Sequence, residues 1–191
     1  MSDAAQWREL ADGVFTLTPF LHAAECAALI AQTERAGYEA ATIATERGAV
    51  RDEDVRNNAR FIMDDQARAA ALWQSLREHV PPFLSGRQAI GVNERFRFYR
   101  YDPGERFAGH IDAPFRRANG EQSLLTFMVY LNADFDGGET TFRELVVRPR
   151  TGMALLFRHD IFHEGAAVRR GRKYVQRSDI MFNPPGRVTM A

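Results

Sequence analysis

Lysine is nearly absent from this chain. Of 25 Lys+Arg residues, only Lys173 is lysine and the other 24 are arginine. Cysteine is equally scarce: Cys26 stands alone, which excludes an intrachain disulfide and suits a reducing compartment. Excess charge of either sign is also missing. The formal net charge is zero, so no global field favours nucleic acid or an anionic membrane as partner. No apolar run approaches the ~18 residues that a membrane helix needs. The start, Met1 to Gln6, lacks a basic stretch followed by an apolar one, so a cytoplasmic protein without a membrane partner is expected. Internal repeats and low-complexity segments are absent as well.

What remains is the composition of a folded protein. With 191 residues, 45% of them hydrophobic, one domain with a real core is expected. The first half reads helical. Ala23–Ala36 has helical spacing and stops at Gly37. A second helix is predicted from Gln66 to about Val80, capped by Asp64 or Asp65 and ended by Pro81-Pro82. Between them, residues 42–60 are polar and charged, and read either as a solvated loop or as a flap over a site.

From Val92 the texture changes. Glu94–Tyr101, Ser123–Asn132, Thr140–Val147, Met153–Arg158, Phe162–Val168 and Lys173–Phe182 are short runs rich in aromatic and β-branched residues, separated by Gly, Pro, Asn and Asp. Consecutive short strands without helices between them predict a β-sandwich or barrel. The expected class is therefore α+β with a mainly β core: residues 1–90 as helical support and 91–183 as the catalytic core.

The chemistry is concentrated in that core. In extended chain, residues i and i+2 face one side, so His110 and Asp112 can project toward one ion. His163, ahead of another extended run, completes a 2-His-1-carboxylate set, which leaves coordination positions open on Fe(II). His159 competes with His163 for the third position, but its apolar flanks read as strand and turn rather than helix. His22 and His79 lie in or beside the helices and read as surface or structural residues.

The stretch Tyr101-Asp-Pro-Gly-Glu-Arg-Phe-Ala-Gly-His110-Ile-Asp112 resembles the motif of Fe(II)/2-oxoglutarate dioxygenases of the prolyl 4-hydroxylase type. Tyr130-Leu-Asn-Ala-Asp-Phe-Asp-Gly-Gly-Glu-Thr140 is similar to that family's strand and glycine turn. Gly152–Phe157, His163-Glu-Gly and Val168–Tyr174 resemble its distal segment. The resemblance covers roughly residues 95–182 and implies a double-stranded β-helix (jelly roll) buttressed by N-terminal helices.

It also implies roles. Fe(II) would be held by His110, Asp112 and His163, and Lys173 would pair with the C5 carboxylate of 2-oxoglutarate. A buried ammonium on a flexible stem needs an anion, and the dianionic cosubstrate supplies one. Tyr101 matches a tyrosine beside the cosubstrate, while Phe107 stands where tyrosine is commoner, so a hydroxyl is lost there. Arg177, four residues beyond Lys173 on the same face, reads as a contact for the C1 carboxylate, for the primary substrate or for solvent. Arg97 and Tyr99 share a face with Tyr101 and are candidates for the substrate side. Arg116 lies in residues 113–122, which read either as a lid or as an exposed basic loop. O2 is the second cosubstrate, and ascorbate is a further expectation.

The implied reaction is hydroxylation of an unactivated C–H bond with release of succinate and CO2. Because the carboxylate ligand Asp112 is present, halogenation is not expected. The substrate, a prolyl residue in a protein or a small molecule, stays open. Alternatives are a non-catalytic metal-binding jelly roll, a zinc hydrolase and a demethylase of alkylated nucleic acid. Lys173 argues against the first, the lack of a general-base glutamate motif against the second, and the neutral charge against the third.

Overall fold

The strand Lys173–Phe182 lies at the centre of the molecule, and its two faces divide it. In a computed structural model describing residues 5–45, 48–50 and 52–186, this strand pairs antiparallel with Gln122–Tyr130 on one side. On the other it pairs with Arg95–Tyr101 and Arg87–Val92. The full sheet has ten strands. Its main path runs Gln6–Ala11, Val14–Thr18, Ala154–Arg158, Gln122–Tyr130, Lys173–Phe182, Arg95–Tyr101, Ala59–Asp64 and Glu39–Ala40. A second sheet of four short strands, Phe107–His110, His163–Gly165, Thr140–Phe142 and Val146–Val147, supplies the other half of the jelly roll. The architecture is mainly β with two helices, as expected.

Period-two alternation sends the side chains of each strand to opposite faces. Phe96, Phe98, Leu125, Phe127, Val129, Ile180 and Phe182 form one apolar cluster with the helices. Tyr99, Tyr101, Tyr130, Phe157 and Val175 belong to a second cluster between the sheets. The helices therefore keep the back of the sheet dry while the inner face carries the polar groups. Helix α1 spans Ala23–Ala36 and buries Cys26, Leu29 and Thr33. Its N-terminus is capped by Glu25, whose Oε2 accepts from the His22 N–H at 2.9 Å. Helix α2 spans Gln66–Leu76, and its cap is Asp65, accepting from the Arg68 N–H at 2.8 Å. It ends four residues before Val80, because the chain unwinds ahead of Pro81-Pro82. Val80 is nevertheless buried, which is why its apolar spacing reads as helix.

The first half is less helical than its sequence suggests. A hairpin, Gln6–Ala11 with Val14–Thr18, turns at Asp12-Gly13, and Ala59–Asp64 and Arg87–Val92 extend the main sheet. The Asp-Gly pair is the signal that marks the hairpin. The solvated-loop reading of residues 42–60 holds for the exposed Glu53 and Asp54 but fails for 55–58. The Ala108 N–H donates to Val55 O at 2.8 Å, and Arg56 is only 5% exposed. Residues 46, 47 and 51 lie outside the described residues.

The junction between hairpin and barrel rests on Gly152. Its carbonyl accepts from the Phe20 and Leu21 N–H groups at 2.9 and 3.0 Å. At φ +76°, a Cβ here would lie 2.0 Å from Leu21 O. Gly152→Ala is expected to lower stability by about 1–3 kcal/mol, measured by denaturant unfolding.

Candidate active site

His110 and His163 come from adjacent strands of the smaller sheet and stand directly opposite one another in register. Strand pairing ends at His110, but the alternation continues: Ile111 is exposed and Asp112 turns back inside. The three side chains offer ligand atoms that all lie within 4.8 Å of one another. His110 Nε2 is 3.7 Å from Asp112 Oδ1, and His163 Nε2 is 3.7 Å from Asp112 Oδ2.

The tautomers follow from the outer nitrogens. His110 Nδ1 lies 2.8 Å from Ala108 O and His163 Nδ1 lies 3.0 Å from Ile161 O, so each Nδ1–H donates to a carbonyl. That leaves both Nε2 lone pairs facing the carboxylate, the arrangement a metal-ligating histidine requires. Burial lowers the pKa of His163 to about 4, so it is neutral at physiological pH. Burial alone would raise Asp112. The Arg177 guanidinium 3.0 Å away, with His110 and Thr126, instead holds its carboxyl well below the usual range. Two imidazoles that turn Nε2 toward a permanent carboxylate form the donor set of a divalent first-row metal.

Lys173 lies in the same cavity, which is also lined by Tyr101, Thr126, Met128, Phe157 and Arg177. It is 2% exposed, and among the described residues no carboxylate comes within ion-pair distance of it. Its Nζ donates to Gly138 O at 2.7 Å and sits over the rings of Tyr101 and Tyr130 at 5.0 and 5.6 Å. Gly138 holds its carbonyl there at φ +66°, and a Cβ on it would come within 3.1 Å of Lys173 Cδ. Desolvation lowers the lysine to about 7, opposed only by Glu139. An ammonium so placed fits the far carboxylate of a dicarboxylate whose near end reaches the metal ligands.

The other expected residues divide. Tyr99, Tyr101 and Arg177 line the cavity. Arg97 faces inward opposite Arg177 in the register, with its Nη1 3.6 Å from Asp179 Oδ2. Arg116 does not reach the cavity: it is exposed and donates to Gln122 Oε1. Its segment is folded back through Arg117, which pairs with Glu94 and with Glu121.

Two residues were not legible as site residues. Thr126 faces Asp112 because it lies opposite Asp179 and Phe157 on the neighbouring strands. Its hydroxyl donates to Asp112 Oδ2 and accepts from His159 Nδ1 at 3.0 Å. His159 Nε2 in turn accepts from Ser123 Oγ at 2.8 Å, and its own carbonyl accepts from the Asp112 N–H at 3.0 Å. His159 is thus no ligand. It orients the residue that orients the carboxylate, and burial keeps it neutral for that one-donor, one-acceptor role. The second is Arg56, whose guanidinium is sandwiched between the rings of Tyr99 and Phe107 at 4.2 and 4.3 Å.

Residues 96–178 match the family model of the 2OG-Fe(II) oxygenase superfamily. A probable prolyl 4-hydroxylase 3 of Arabidopsis thaliana is 24% identical over 205 residues, covering 88% of this chain and 70% of that protein. Residues 96–178 thus carry the core of the 2OG-Fe(II) oxygenase superfamily, and the chain is similar to proteins of the prolyl 4-hydroxylase type. Solved structures agree on the fold. A Pseudomonas putida prolyl-4-hydroxylase superposes with a TM-score of 0.64 at 19% identity, covering 91% of this chain and 94% of its own. A Trichoplax adhaerens prolyl hydroxylase, solved with a hypoxia inducible factor peptide fragment, gives 0.68 at 18% identity, covering 89% and 84%. The donor set and the anion-seeking Lys173 fit the Fe(II) and 2-oxoglutarate that this superfamily uses.

Two outcomes test this geometry. Thr126→Val removes the hydrogen bond that aims Asp112, and should weaken Fe(II) binding by roughly 10- to 100-fold in a competition titration. Lys173→Met removes an ammonium whose folded-state pKa lies below its unfolded value. The wild type is therefore penalised most below pH ~7, and progressively less up to the unfolded pKa of ~10.4. The variant should unfold at higher temperature at pH 6, with the gain shrinking toward pH 10, and should no longer respond to 2-oxoglutarate.

Proposed function

We propose that this protein uses Fe(II) and 2-oxoglutarate to hydroxylate an unactivated C–H bond, releasing succinate and CO2. The observation that carries the reading is the presence in one cavity of the two-histidine, one-carboxylate set and a buried lysine without a counter-anion. His110, Asp112 and His163 would hold the metal. Lys173 would fix the C5 carboxylate of 2-oxoglutarate, with Tyr101 packed beside it. The bound iron and cosubstrate supply the oxidative decarboxylation and the oxygen insertion.

The chain's own contribution is orientation and exclusion of water. Lys173 sets how far the cosubstrate enters, and the carbonyls on both Nδ1 atoms fix the imidazole planes. Phe157 and Phe142 pack against His163, at 4.4 and 6.0 Å between ring centroids, and keep that side of the site dry. Arg177 contacts Asp112 directly, so it neutralises the ligand carboxylate as well as offering a donor toward the cavity. Prolyl 4-hydroxylation is the finer reading, supported by the named relatives. A hydrolase reading has less support, because among the described residues Asp112, which would be a ligand, is the only carboxylate lining the cavity.

Anaerobic addition of Fe(II) and 2-oxoglutarate should produce a visible metal-to-ligand charge-transfer band. His110→Ala should abolish it. Lys173→Ala should raise the 2-oxoglutarate requirement by about 100-fold, the loss of a charge-assisted pair. Tight zinc binding without any band would transfer the site to the hydrolase or structural readings.

A further inference from the structure

Three guanidinium groups converge on one phenol. Arg56, Arg177 and Arg97 all act on the Tyr99 hydroxyl and hold its pKa at about 8, although burial alone would raise it. The sources are independent. Arg97 and Tyr99 lie on one strand, Arg177 on its neighbour, and Arg56 on the segment folded over Phe107. Guanidinium groups repel one another, so such a cluster in a low-dielectric site is stable only if anions stand among them.

Among the described residues the anions are too few. Arg177 is matched by Asp112 at 3.0 Å and by Asp179 at 3.4 Å. Asp179 must also serve Arg97, whose Nη1 makes no hydrogen bond. Arg56 has no carboxylate partner among the described residues. Its Nε donates to Asn58 Oδ1 at 2.7 Å, and its Nη2 is buried without an acceptor. Fe(II) and the 2-oxoglutarate dianion cancel one another, so their arrival leaves this excess of positive charge standing.

Resting on the oxygenase reading, we infer that the primary substrate carries a carboxylate, which docks on Arg56 and Arg97 beside the Tyr99 hydroxyl. The stacking of Arg56 between Tyr99 and Phe107 fixes the plane of its fork in advance, which is what bidentate recognition of a planar carboxylate requires. Phe107 also stacks on His110 at 3.7 Å between ring centroids. A group held by Arg56 is therefore one ring away from His110. Arg97 supplies the opposing donor from the sheet. The carboxylate can belong to a free amino acid or to an acidic side chain in a peptide.

The test uses the protein loaded with Mn(II) and 2-oxoglutarate, and reads ligand-induced stabilisation. A parallel series with Fe(II) and O2 reads succinate release. One arm compares L-proline and the other free amino acids with their primary amides. A second compares end-blocked Asp-Pro and Glu-Pro peptides with their Asn and Gln counterparts. In one arm the acid should outperform its neutral partner. Arg56→Gln and Arg97→Gln should each erode that advantage by roughly 10- to 100-fold, while the 2-oxoglutarate titration of the charge-transfer band stays as in wild type. Arg97 is partly exposed and its variant retains the test if Arg56→Gln fails to fold.

No acid-over-amide preference in either arm overturns the inference, as does a preference that survives the double variant. A raised 2-oxoglutarate requirement in the variants would assign these arginines to the cosubstrate instead. Failure of the oxygenase reading itself looks different, since the wild-type band would then never form.

Discussion

A single unpaired ammonium organises this molecule. Lys173 is held in the barrel by strand alternation, with a carbonyl and two aromatic faces around it but no carboxylate. Among the described residues no carboxylate pairs with that charge, and burial drives the lysine toward its neutral form. The protein therefore stores an unfavourable interaction that a dianion relieves. At the other end of the cavity the candidate metal ligands are tuned in the opposite sense, with His163 kept neutral by burial and the Asp112 carboxylate kept ionised by Arg177. The cavity is thus polarised between an ammonium at one end and a candidate metal-binding triad at the other, which suits the proposed dicarboxylate cosubstrate.

The scaffold makes this polarity affordable by segregation. Residues 174, 176, 178 and 180 of the central strand face the helices or the sheet's dry side, and 173, 175, 177 and 179 face the cavity. On the helical side polar oxygens and hydroxyls find partners: Gln176 Oε1 accepts from Arg68 Nε at 3.0 Å, and Tyr174 Oη donates to Glu34 Oε1 at 2.6 Å. On the cavity side they are answered only in part. Arg56 Nη2 and Arg97 Nη1 are buried without acceptors on that side, and it is there that ligands are expected to supply what the chain does not.

How much of this was legible in the sequence depended on the range of the signal. Helix α1 and the strand Lys173–Phe182 follow from local periodicity and were readable to the residue. The triad was readable because His-x-Asp shares a face in extended chain, and Lys173 because it is the one lysine among arginines. The hairpin at Asp12-Gly13 carried its turn signal but sat in a half that otherwise reads helical. Thr126, His159 and Arg56 were not readable as a set. Their roles come from contacts across strands and across a folded-back loop, which a threonine in an apolar run or an arginine in a charged stretch does not announce. Arg116 errs in the other direction: a basic residue near the site in sequence, it is turned to solvent by the pairing of its neighbour Arg117 with Glu94.

The central claim is that 2-oxoglutarate completes an ion pair with a lysine that is largely neutral without it. Calorimetric titration of the metal-loaded protein at pH 8, in buffers of different ionisation enthalpy, measures the protons exchanged on binding. With Lys173 near 7 in the empty cavity, binding should take up close to one proton (~0.9), and affinity should fall about tenfold per pH unit above pH ~7. Binding at pH 8 with no proton uptake, and with affinity flat from pH 7 to 9, would contradict the account.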